Sequence, residues 1–565
     1  MHTVETVLLV LMLGALTGIA ARYVRAIPLP LIQIALGALI AWPQDGLHIA
    51  FDPELFLLLF IPPLLFADGW RIPKREFFAL AKPILLLAFG LVFITVFGLG
   101  YLIHWLIPSI PLTVAFALAA VVSPTDAVAV SAISRNLGMP SKTMHLLEGE
   151  SLLNDASGLV ALKFAVAATL TAGSFSWENA AKDFTWMSVG GLGLGALMGW
   201  GFSRGRDMVT RRVGDVAATQ MVLLLILLPF ASYIMGEYIG VSGILSAVAA
   251  GIATNFADLD RSNFISERLQ TEGTWSMVEA AFNGAIFLLL GLQLPSIIGE
   301  TLRGAAHRDV WLLLGYVAAI SCALLALRWA WLMLGVRSSL HKAHRQGRMV
   351  ERPSALLTLA TTVAGIRGAV TLAAALSIPT HLANGRVFPE RNLLIFLATG
   401  TILFTLVLGS IVLPLLLRRI PPVEDTQAQH EERLARTAAC QAAIASLALP
   451  EDQAQQHSAQ WLAQHQEVAG RITQEYRNRI QLLDESGVAN TPEAQSDSPE
   501  VVHERRLRYL REIELRLHCI QVERNTLYAE RQAHRINDEM LRAMVSELDM
   551  SEVSLRKRLA VARRA

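Results

Sequence analysis

Carboxylate, hydroxyl and amide side chains stand inside stretches of this chain that are otherwise apolar. One stretch contains Thr125 and Asp126, and the next contains Ser151, Asn154 and Asp155. Oxygen ligands of this kind suit small hard cations, and a carboxylate that is removed from water also takes up a proton readily. These residue types at this spacing therefore predict a site that binds either a cation or a proton.

A proline interrupts the first of these stretches, at Ser123-Pro124-Thr125-Asp126. Proline has no N–H and clashes with the preceding turn, so a helix that contains Pro124 loses backbone hydrogen bonds there. The freed carbonyls, a hydroxyl and the Asp126 carboxylate would supply the oxygen-only surroundings that a cation requires. The alternative is a packing kink in which Asp126 accepts hydrogen bonds from free backbone amides.

Helical spacing divides the polar residues of the second stretch between two faces. Ser151 and Asp155 are four residues apart and share one face, whereas Glu150 and Asn154 share the adjoining face. We therefore expect Ser151 and Asp155 to face the cation, while neighbouring helices hold Glu150 and Asn154. A structural ion pair would explain Glu150 but not the whole cluster.

Two arginines in later apolar stretches are candidate partners for Glu150. Arg328 lies roughly two helical turns from the end of its stretch, at a depth comparable with that of Glu150. Arg367 stands between two glycines, which can relax a second helix, and it is the competing partner.

The stretches that carry these residues are long enough to cross a membrane. Of the 565 residues, 53% are hydrophobic and only 17% are charged, which is too apolar for a soluble enzyme. A spanning helix needs roughly 20 apolar residues, and about thirteen segments satisfy this requirement. They lie near 4–21, 27–43, 51–68, 82–107, 111–134, 145–172, 185–203, 217–236, 238–256, 276–297, 309–336, 354–380 and 391–418. The sequence thus predicts an all-α polytopic membrane protein.

Three further charged residues lie in or near these spans. A charge inside a bilayer is expensive to bury, so each is a functional candidate. Glu279, at the start of its span, is a candidate for a funnel or a pH-sensing group. Lys163 and Asp68 are expected to snorkel towards the interface or to cap a helix.

Positive charges favour one set of alternate loops, which we call the arginine-rich side. This set carries Arg22, Arg25, Arg71, Lys74, Arg75, Arg135, Lys142, Arg204, Arg206, Arg211, Arg212, Arg261, Arg268, Arg337, Lys342, Arg345, Arg348 and Arg352. The opposite set carries only Lys182, Arg303, Arg308, Arg386 and Arg391. Lys and Arg accumulate on the cytoplasmic side, so an odd number of spans puts the N-terminus outside and the C-terminus in the cytoplasm.

Residues 421–565 have the composition of soluble helices, with a helix expected near 450–483 and a linker near 484–500. An apolar stripe at spacings of three and four follows, with Arg524 in one of its positions. The stripe consists of Leu510, Ile513, Leu517, Ile520 and Leu527. It fits either a short dimeric coiled coil or a helix that folds onto its own neighbours. We expect this tail to serve regulation or assembly.

Composition argues against several other classes of protein. Lys and Arg number 48 against 47 Asp and Glu, unlike the strongly basic balance of nucleic-acid-binding proteins. Cys322, Cys440 and Cys519 form no C-x-x-C pair, so neither a disulfide framework nor a thiolate metal site is expected, and no cofactor is predicted. An intramembrane aspartyl protease would use two aspartates, but the Gly-x-Gly-Asp motif is absent from the sequence.

Three motifs together resemble the sodium/proton antiporters of the monovalent cation:proton antiporter superfamily. They are Thr125-Asp126 followed by Ala-Val-Ala-Val, Glu150-Ser-Leu-Leu-Asn154-Asp155, and Gly365-Ile-Arg367-Gly. The Asn-Asp pair is similar to the first group of that superfamily, which includes animal exchangers and archaeal relatives. The resemblance covers residues 1–420, and the stretch 523–542 is similar to the cytoplasmic ends of bacterial members.

The resemblance implies an inverted-repeat fold in which a core domain moves against a dimerisation domain and two broken helices cross near the ion site. Residues 1–420 would form the exchanger domain, and residues 421–565 the cytoplasmic tail. The resemblance also implies the ligands of Na⁺, namely the side chains of Asp155, Asp126 and Ser151 and the carbonyl of Thr125. It further implies that Glu150 pairs with an arginine.

The expected protein is a transporter and not an enzyme. It would exchange Na⁺ for H⁺ at Asp155 in a bacterial inner membrane, as a lipid-embedded homodimer that serves pH and sodium homeostasis. Because Asn154 carries no titrating proton, electroneutral one-for-one exchange is expected. Exchange of K⁺ or Li⁺ and a cation channel remain as alternatives.

Overall fold

The structure is a computed structural model, and its described residues form helices. They are residues 2–21, 23, 27–42, 53–134, 137, 139–170, 177–213, 218–257, 265–304, 309–346, 354–381, 387–420, 426–447, 459–485, 499–532 and 538–564. Within these ranges there is no β-strand, and the β-type pairing is an isolated bridge between His381 and Val387. The predicted all-α class is therefore confirmed for this part of the chain. The chain divides into two compact units, Met1–Val423 and Glu424–Ala565.

The described residues of the first unit form seventeen α-helical segments, many of them apolar along most of their length. They are α1 His2–Ala20, α2 Leu29–Ala41, α3 Pro53–Arg71, α4 Lys74–Ala79, α5 Ala81–Leu85, α6 Val92–Leu106, α7 Leu112–Val121, α8 Ala127–Ser134, α9 Ser141–Leu170, α10 Trp177–Val213, α11 Ala218–Ile239, α12 Gly243–Ala257, α13 Ile265–Gly304, α14 Val310–Arg345, α15 Ala355–Val363, α16 Ala369–Leu376 and α17 Arg391–Leu417. A π-helical segment, Leu86–Leu91, joins α5 to α6.

Six of the described helices are long and apolar enough to cross a membrane. They are Ala81–Leu106, Ser141–Leu170, Thr219–Ile239, Gln270–Thr301, Val310–His341 and Arg391–Leu417. Shorter apolar helices lie at Leu8–Ala20, Leu29–Ala41, Leu112–Val121 and Gly243–Ala257. In a bilayer every backbone polar group must be satisfied internally, which these helices achieve. The total of thirteen spans stays a prediction.

Packing sorts the helices of the first unit into two groups. Most contacts of α1–α3 and α10–α13 are with one another, and most contacts of α4–α9 and α14–α17 are with one another. Fewer contacts join the groups, chiefly where α13 meets α17 and where α9 and α16 meet α3. We call them the scaffold group and the core group, respectively.

Two pairs of short helices in the core group are each separated by a few non-helical residues. Residues 122–126 separate α7 from α8, and residues 364–368 separate α15 from α16. Pro124 accounts for the first interruption, because it cannot donate the backbone hydrogen bond that a continuous helix needs. Gly158 of α9 lies against this proline, since a Cβ there would come within 2.6 Å of Pro124 Cγ. The helix that carries Asp155 therefore packs directly on the interruption.

Within the second unit, the residues that the structure describes form four helices: α18 Thr426–Ser446, α19 Ala459–Glu485, α20 Pro499–Gln532 and α21 Asp538–Arg564. α18 packs on α19, and α20 packs on α21. Most of the predicted linker, residues 486–498, lies outside the described residues. Arg524 contacts both Asp549 and Glu552 of α21, so the apolar stripe to which it belongs faces α21. The helix thus folds onto its own neighbour, one of the two arrangements expected.

Candidate functional site

The two interruptions meet in the interior of the core group. The backbone N–H of Asp126 donates to the carbonyl of Ile366 at 2.7 Å. In the second interruption, the N–H of Arg367 donates to Thr405 Oγ1 of α17 at 3.2 Å. Buried backbone groups need partners, and these bonds replace part of what a continuous helix would supply. Side chains from both interruptions are thereby brought to one place.

Asp126 lies at the N-terminal end of α8. Its Oδ1 accepts hydrogen bonds from the N–H groups of Val128 at 2.9 Å and Ala129 at 3.0 Å, as in a helix N-cap. The other carboxylate oxygen lies against Gly368, at the start of α16, where a Cβ would overlap it. A helix N-terminus stabilises an anion, and Asp126 lies at two of them. The sequence predicts two alternatives for Asp126, a cation ligand and an acceptor of backbone amide bonds. Oδ1 accepts such amide bonds, and the same carboxylate also lines the cavity described below.

α9 is attached to the first interruption through Thr125. Ser151 Oγ donates to the carbonyl of Thr125 at 2.8 Å and accepts from the N–H of Ala127 at 3.3 Å. Asn154 Nδ2 donates to Thr125 Oγ1 at 2.8 Å. Asn154 Oδ1 is buried and has no hydrogen-bond partner among the described residues. Asn154 therefore holds α9 in register with the interruption, the role expected for it from its helical face.

Asp155 faces a cavity of about 80 Å³ together with Asp126, Ser151 and Thr125. Its side chain is 6% exposed, and no described residue donates a hydrogen bond to its carboxylate. A buried carboxylate without donors is costly unless it binds a cation or a proton. The described residues contain no cluster of three or more His, Cys, Asp or Glu side chains that could hold a resident metal ion. The carboxylate, hydroxyl and carbonyl oxygens of the four lining residues are ligands of the kind that small hard cations prefer.

The cavity also contains polar residues that the sequence pattern did not single out as ligands. Asp68 of α3 and Asn283 of α13 line it. Asp68 was expected to snorkel or cap, but it points towards the same cavity as Asp155 from the scaffold group. In the sequence Asp68 is an acidic residue near the end of an apolar span, which also fits a helix cap, so the pattern did not distinguish the two roles. The cavity therefore has carboxylates on both groups of helices.

Glu279 of α13 lies at the same cavity and forms an ion pair with Arg71, the last residue of α3. Arg71 also donates to Ser276 Oγ at 3.4 Å. Both charged side chains are partly exposed, in contrast to Asp155. Glu279 thus lines the cavity beside Arg71, at the end of α3 on the arginine-rich side, and its role as a funnel or pH-sensing group stays a prediction.

Glu150 pairs with Arg328 and not with Arg367. Both side chains of the pair are only 1% exposed. Arg328 Nη2 donates to Glu150 Oε2 at 2.8 Å, Nη1 donates to Oε1, and Nε donates to the carbonyl of Thr361 at 3.2 Å. Gly365 leaves room for the guanidinium, since a Cβ there would lie 2.7 Å from Arg328 Cδ. The pair joins α9, α14 and α15 behind the site.

Arg367 is buried among backbone carbonyls instead. Its Nε donates to the carbonyl of Val122 at 2.9 Å, and Nη1 donates to that of Gly365. These carbonyls follow the C-terminal ends of α7 and α15, where helix dipoles leave partial negative charge. No carboxylate of a described residue lies within ion-pair distance of Arg367. The guanidinium therefore neutralises the negative ends of both interrupted helices.

Comparison with known proteins places this geometry in a family. The family described as sodium/hydrogen exchanger, transmembrane, matches residues 8–419. The uncharacterized Na(+)/H(+) exchanger YjcE of Escherichia coli K12 is 42% identical over 556 residues, or 97% of this chain and 98% of its own length. A sodium, potassium, lithium and rubidium/H(+) antiporter of Bacillus pumilus is 46% identical over 433 residues, or 76% of this chain and 64% of its own length.

A solved structure shares the fold. The sodium proton antiporter MjNhaP1 of Methanocaldococcus jannaschii superposes with a TM-score of 0.57 at 16% identity, over 74% of this chain and 99% of its own. At this identity the likeness concerns the fold alone. The family match and the identity with YjcE extend over most of the chain. This chain therefore belongs to the sodium/hydrogen exchanger family of multi-pass membrane antiporters.

Proposed function

We propose that this chain exchanges Na⁺ for H⁺ across the membrane, one for one, at the carboxylate of Asp155. The observation that carries the proposal is that this buried carboxylate faces a cavity and accepts no hydrogen bond from any residue that the structure describes. Removal from water disfavours a bare carboxylate, so either a cation or a proton must neutralise it. Because both occupy the same oxygens, binding of one displaces the other.

This competition couples the two fluxes. A site that carries an unpaired carboxylate through the membrane interior reorients slowly, because burying the charge is expensive. The proton-bound and cation-bound forms are neutral at Asp155 and cross readily. Only loaded forms therefore reorient, and each crossing carries one substrate.

The ligands of Na⁺ are assigned as the carboxylates of Asp155 and Asp126, the hydroxyl of Ser151 and the carbonyl of Thr125. The Ser151 hydroxyl contacts the Thr125 carbonyl, and all four residues line the cavity. Oxygen atoms are the ligands that hard cations prefer. Asn154 positions α9, and the Glu150–Arg328 pair holds the same helix from behind. We assign Glu279 to attracting cations or to sensing pH at the cavity.

Electroneutral exchange follows from the protonation chemistry of these residues. Asn154 carries no titrating proton, and two helix N-termini stabilise Asp126 as an anion. One carboxylate, Asp155, then cycles between proton and cation. No cofactor takes part, since Na⁺ and H⁺ are themselves the cargo.

Exchange of other monovalent cations is the second candidate. The Bacillus pumilus and Bacillus subtilis relatives, each 46% identical, are named as sodium, potassium, lithium and rubidium/H(+) antiporters. Carboxylate, hydroxyl and carbonyl oxygens bind all of these ions, and cavity size and flexibility decide between them. A channel is disfavoured, because a conducting pore must be open along its whole length while Asp155 is buried.

The cellular setting is proposed from the charge pattern. The arginine-rich side faces the cytoplasm of a bacterial inner membrane, with the N-terminus outside and residues 424–565 in the cytoplasm. A lipid-embedded homodimer that serves pH and sodium homeostasis fits this arrangement. The helical tail then regulates or assembles the exchanger.

A proteoliposome assay tests the proposed function. The lumen is acidified, Na⁺, Li⁺, K⁺ or Rb⁺ is added outside, and a pH-sensitive dye reports proton efflux. We expect the wild type to restore the pH with Na⁺, and Asp155→Asn to lose this response while remaining folded in the membrane. Sodium-driven proton efflux that persists in Asp155→Asn would contradict the assignment. Equal responses to K⁺ and Na⁺ would favour the second candidate.

A further inference from the structure

An ion pair joins the core group to the scaffold group at a distance from the cavity. Lys163 lies on α9, the helix that carries Asp155, and its Nζ is 3.0 Å from Oε1 of Glu237 on α11. The sequence predicted only that Lys163 snorkels or caps. The structure instead gives it a carboxylate partner on the opposite group of helices.

Glu237 is anchored within its own group. Its Oε1 also accepts a hydrogen bond, at 3.2 Å, from the N–H of Gly243, the first residue of α12. The N-terminus of a helix stabilises an anion. Gly243 packs closely on this side chain, since a Cβ there would lie 3.1 Å from Glu237 Cγ. Glu237 is therefore fixed to the scaffold group, and Lys163 approaches it from the core group.

Apolar packing accompanies the ion pair at this level of α9. A small apolar cluster of Ala156, Val160 and Leu245, with Phe164 beside it, is separate from the main core. Leu245 comes from α12 and the other members from α9. Apolar stabilisation grows with the area removed from water, so a small cluster contributes little. The ion pair adds a polar link between the two groups beside this cluster.

The cavity and the ion pair lie towards opposite sides of the membrane. From Asp155 the cavity leads to Asp68, three residues before Arg71 and the arginine-rich side. Lys163 lies eight residues beyond Asp155 in the other direction, roughly 12 Å along the helix. Glu237 is two residues from the end of α11 that faces away from the arginine-rich side.

Apolar packing closes the path between Asp155 and the ion pair. Leu159 and Leu162 of α9 lie between Asp155 and Lys163 in sequence, and both are buried in the main core. The site is thus open to the arginine-rich side and closed to the other. The ion pair stands on the closed side.

We propose that the ion pair between Lys163 and Glu237 sets which side of the membrane the Asp155 site faces. The inference rests on the proposed exchange, in which the two groups must separate on the closed side for the site to open there. The ion pair is present when the site faces the arginine-rich side and would be broken when the site faces the opposite side. An interaction present in only one of two conformations stabilises that conformation. Lys163 and Glu237 therefore determine the sidedness of exchange without contacting the transported ion.

Sided transport kinetics test this inference. The apparent KM for Na⁺ is measured at each face, in inside-out and right-side-out membrane vesicles that contain the full chain. A binding-competent state that becomes more populated lowers the apparent KM at its face. We expect Lys163→Met and Glu237→Gln each to lower the KM at the face opposite the arginine-rich side, by between about 1.4-fold and fivefold, the range for half-exposed pairs. The KM at the arginine-rich face should rise or stay constant.

Damage to the Asp155 site would change the KM at both faces in the same direction. A lower KM at one face with a higher or constant KM at the other therefore indicates a change in sidedness and not damage. Loss of a shared interaction is not additive, so the double variant should shift the KM no further than the larger single variant. Lys182→Met is the matched control, because it removes a positive charge from α10 on the same side, and it should leave both KM values unchanged.

Three outcomes would overturn the proposal: shifts in the same direction at both faces, no shift in either variant, or an equal shift in Lys182→Met. Absence of exchange in the wild type would instead overturn the proposed function, and this inference with it. Exchange with unmoved KM values in the variants would overturn this inference alone.

Discussion

Asp126 and Gly368 come from interruptions that are more than 240 residues apart, yet they touch. The carboxylate lies where a side chain at position 368 would be, so glycine is required by space and not by backbone conformation. The close approach places the Asp126 anion at the N-termini of both α8 and α16. In the proposed mechanism, this contact positions the carboxylate that a bound cation would meet.

Gly368→Ala tests the contact between the interruptions. Overpacking in a filled interior costs about 1–3 kcal/mol, so we expect the apparent KM for the transported cation to rise by roughly fivefold or more. Gly315→Ala on α14 is the control, because a Cβ there meets nothing within 4 Å. The measurement is cation-driven proton flux in proteoliposomes. An unchanged KM in Gly368→Ala would show that Asp126 does not need this approach.

We expect the buried Glu150–Arg328 pair to stabilise the folded protein. Removing one partner of a buried pair leaves the other charge uncompensated, at a cost of about 3–5 kcal/mol. We expect Glu150→Ala to lower the thermal unfolding temperature of the detergent-solubilised protein markedly. Glu148→Ala, two residues away with a side chain 43% exposed, should change it little. Equal unfolding temperatures for the wild type and Glu150→Ala would rule out a stabilising role for the pair.

At the scale of secondary-structure elements, the two interrupted helices build the site. Each interruption exposes a helix N-terminus beside Asp126 and a C-terminus beside an arginine, either Arg367 or Arg328. The positive N-terminal ends of helices thus stabilise the buried Asp126 anion, and the negative C-terminal ends stabilise the buried arginines. Pro124 and the glycines around Arg367 indicated these interruptions in the sequence. The two interruptions are far apart in the sequence. The spacing of residues therefore could not show which side chains of one interruption contact the other.

α20 and α21 of the tail form a second, independent element. Arg524 Nη2 donates to Asp549 Oδ1 at 2.6 Å and to Glu552 Oε2 at 2.5 Å, and Arg556 also donates to Glu552. The hydrogen bond from Arg524, followed by that from Arg556, lowers the pKa of Glu552 below its ordinary value. The same bond raises the pKa of Arg524, which stays charged throughout. The apolar stripe thus accommodates a charge that a plain coiled coil would disfavour.

The lowered pKa of Glu552 fixes the sign of a pH effect. A depressed carboxylate pKa stabilises the folded hairpin above the unfolded-state pKa, about 4.3, and this stabilisation is lost as pH falls through the folded value. We expect hydrogen exchange of α20 and α21 to be faster in Glu552→Gln than in the wild type at pH 7, and the difference to vanish in acid. Glu512→Gln, whose partner Arg516 lies on the same helix, is the control. Equal exchange rates at pH 7 would refute this role of Glu552.

At the scale of the whole molecule, exchange is expected to move no net charge. Two protons per Na⁺ would transfer one charge per cycle, and a membrane potential would then bias transport by roughly 2.3 kcal/mol per 100 mV. We expect no transient current on a solid-supported membrane when Na⁺ is added, and no effect of an imposed potential on the rate. A sustained Na⁺-dependent current in the wild type that is absent from Asp155→Asn would contradict electroneutral exchange.

Much of this site could be predicted, because local rules decide it. Helical periodicity put Ser151 and Asp155 on one face, and depth within the spans favoured Arg328 as the partner of Glu150. The position of Asp68 could not be predicted, since an acidic residue near the end of a span also fits a cap. The partner of Lys163 depends on how two groups of helices pack. A single sequence contains no direct signal of such distant contacts.

The most direct test of the central claim, that a cation and a proton exclude each other at Asp155, is the number of protons released when Na⁺ binds. Purified protein is titrated with Na⁺ in weakly buffered solution, at a pH where the empty site is protonated. We expect one proton released for each Na⁺ bound by the wild type, and neither Na⁺ binding nor release by Asp155→Asn. Na⁺ that binds without releasing a proton, or release that survives in Asp155→Asn, would contradict the claim.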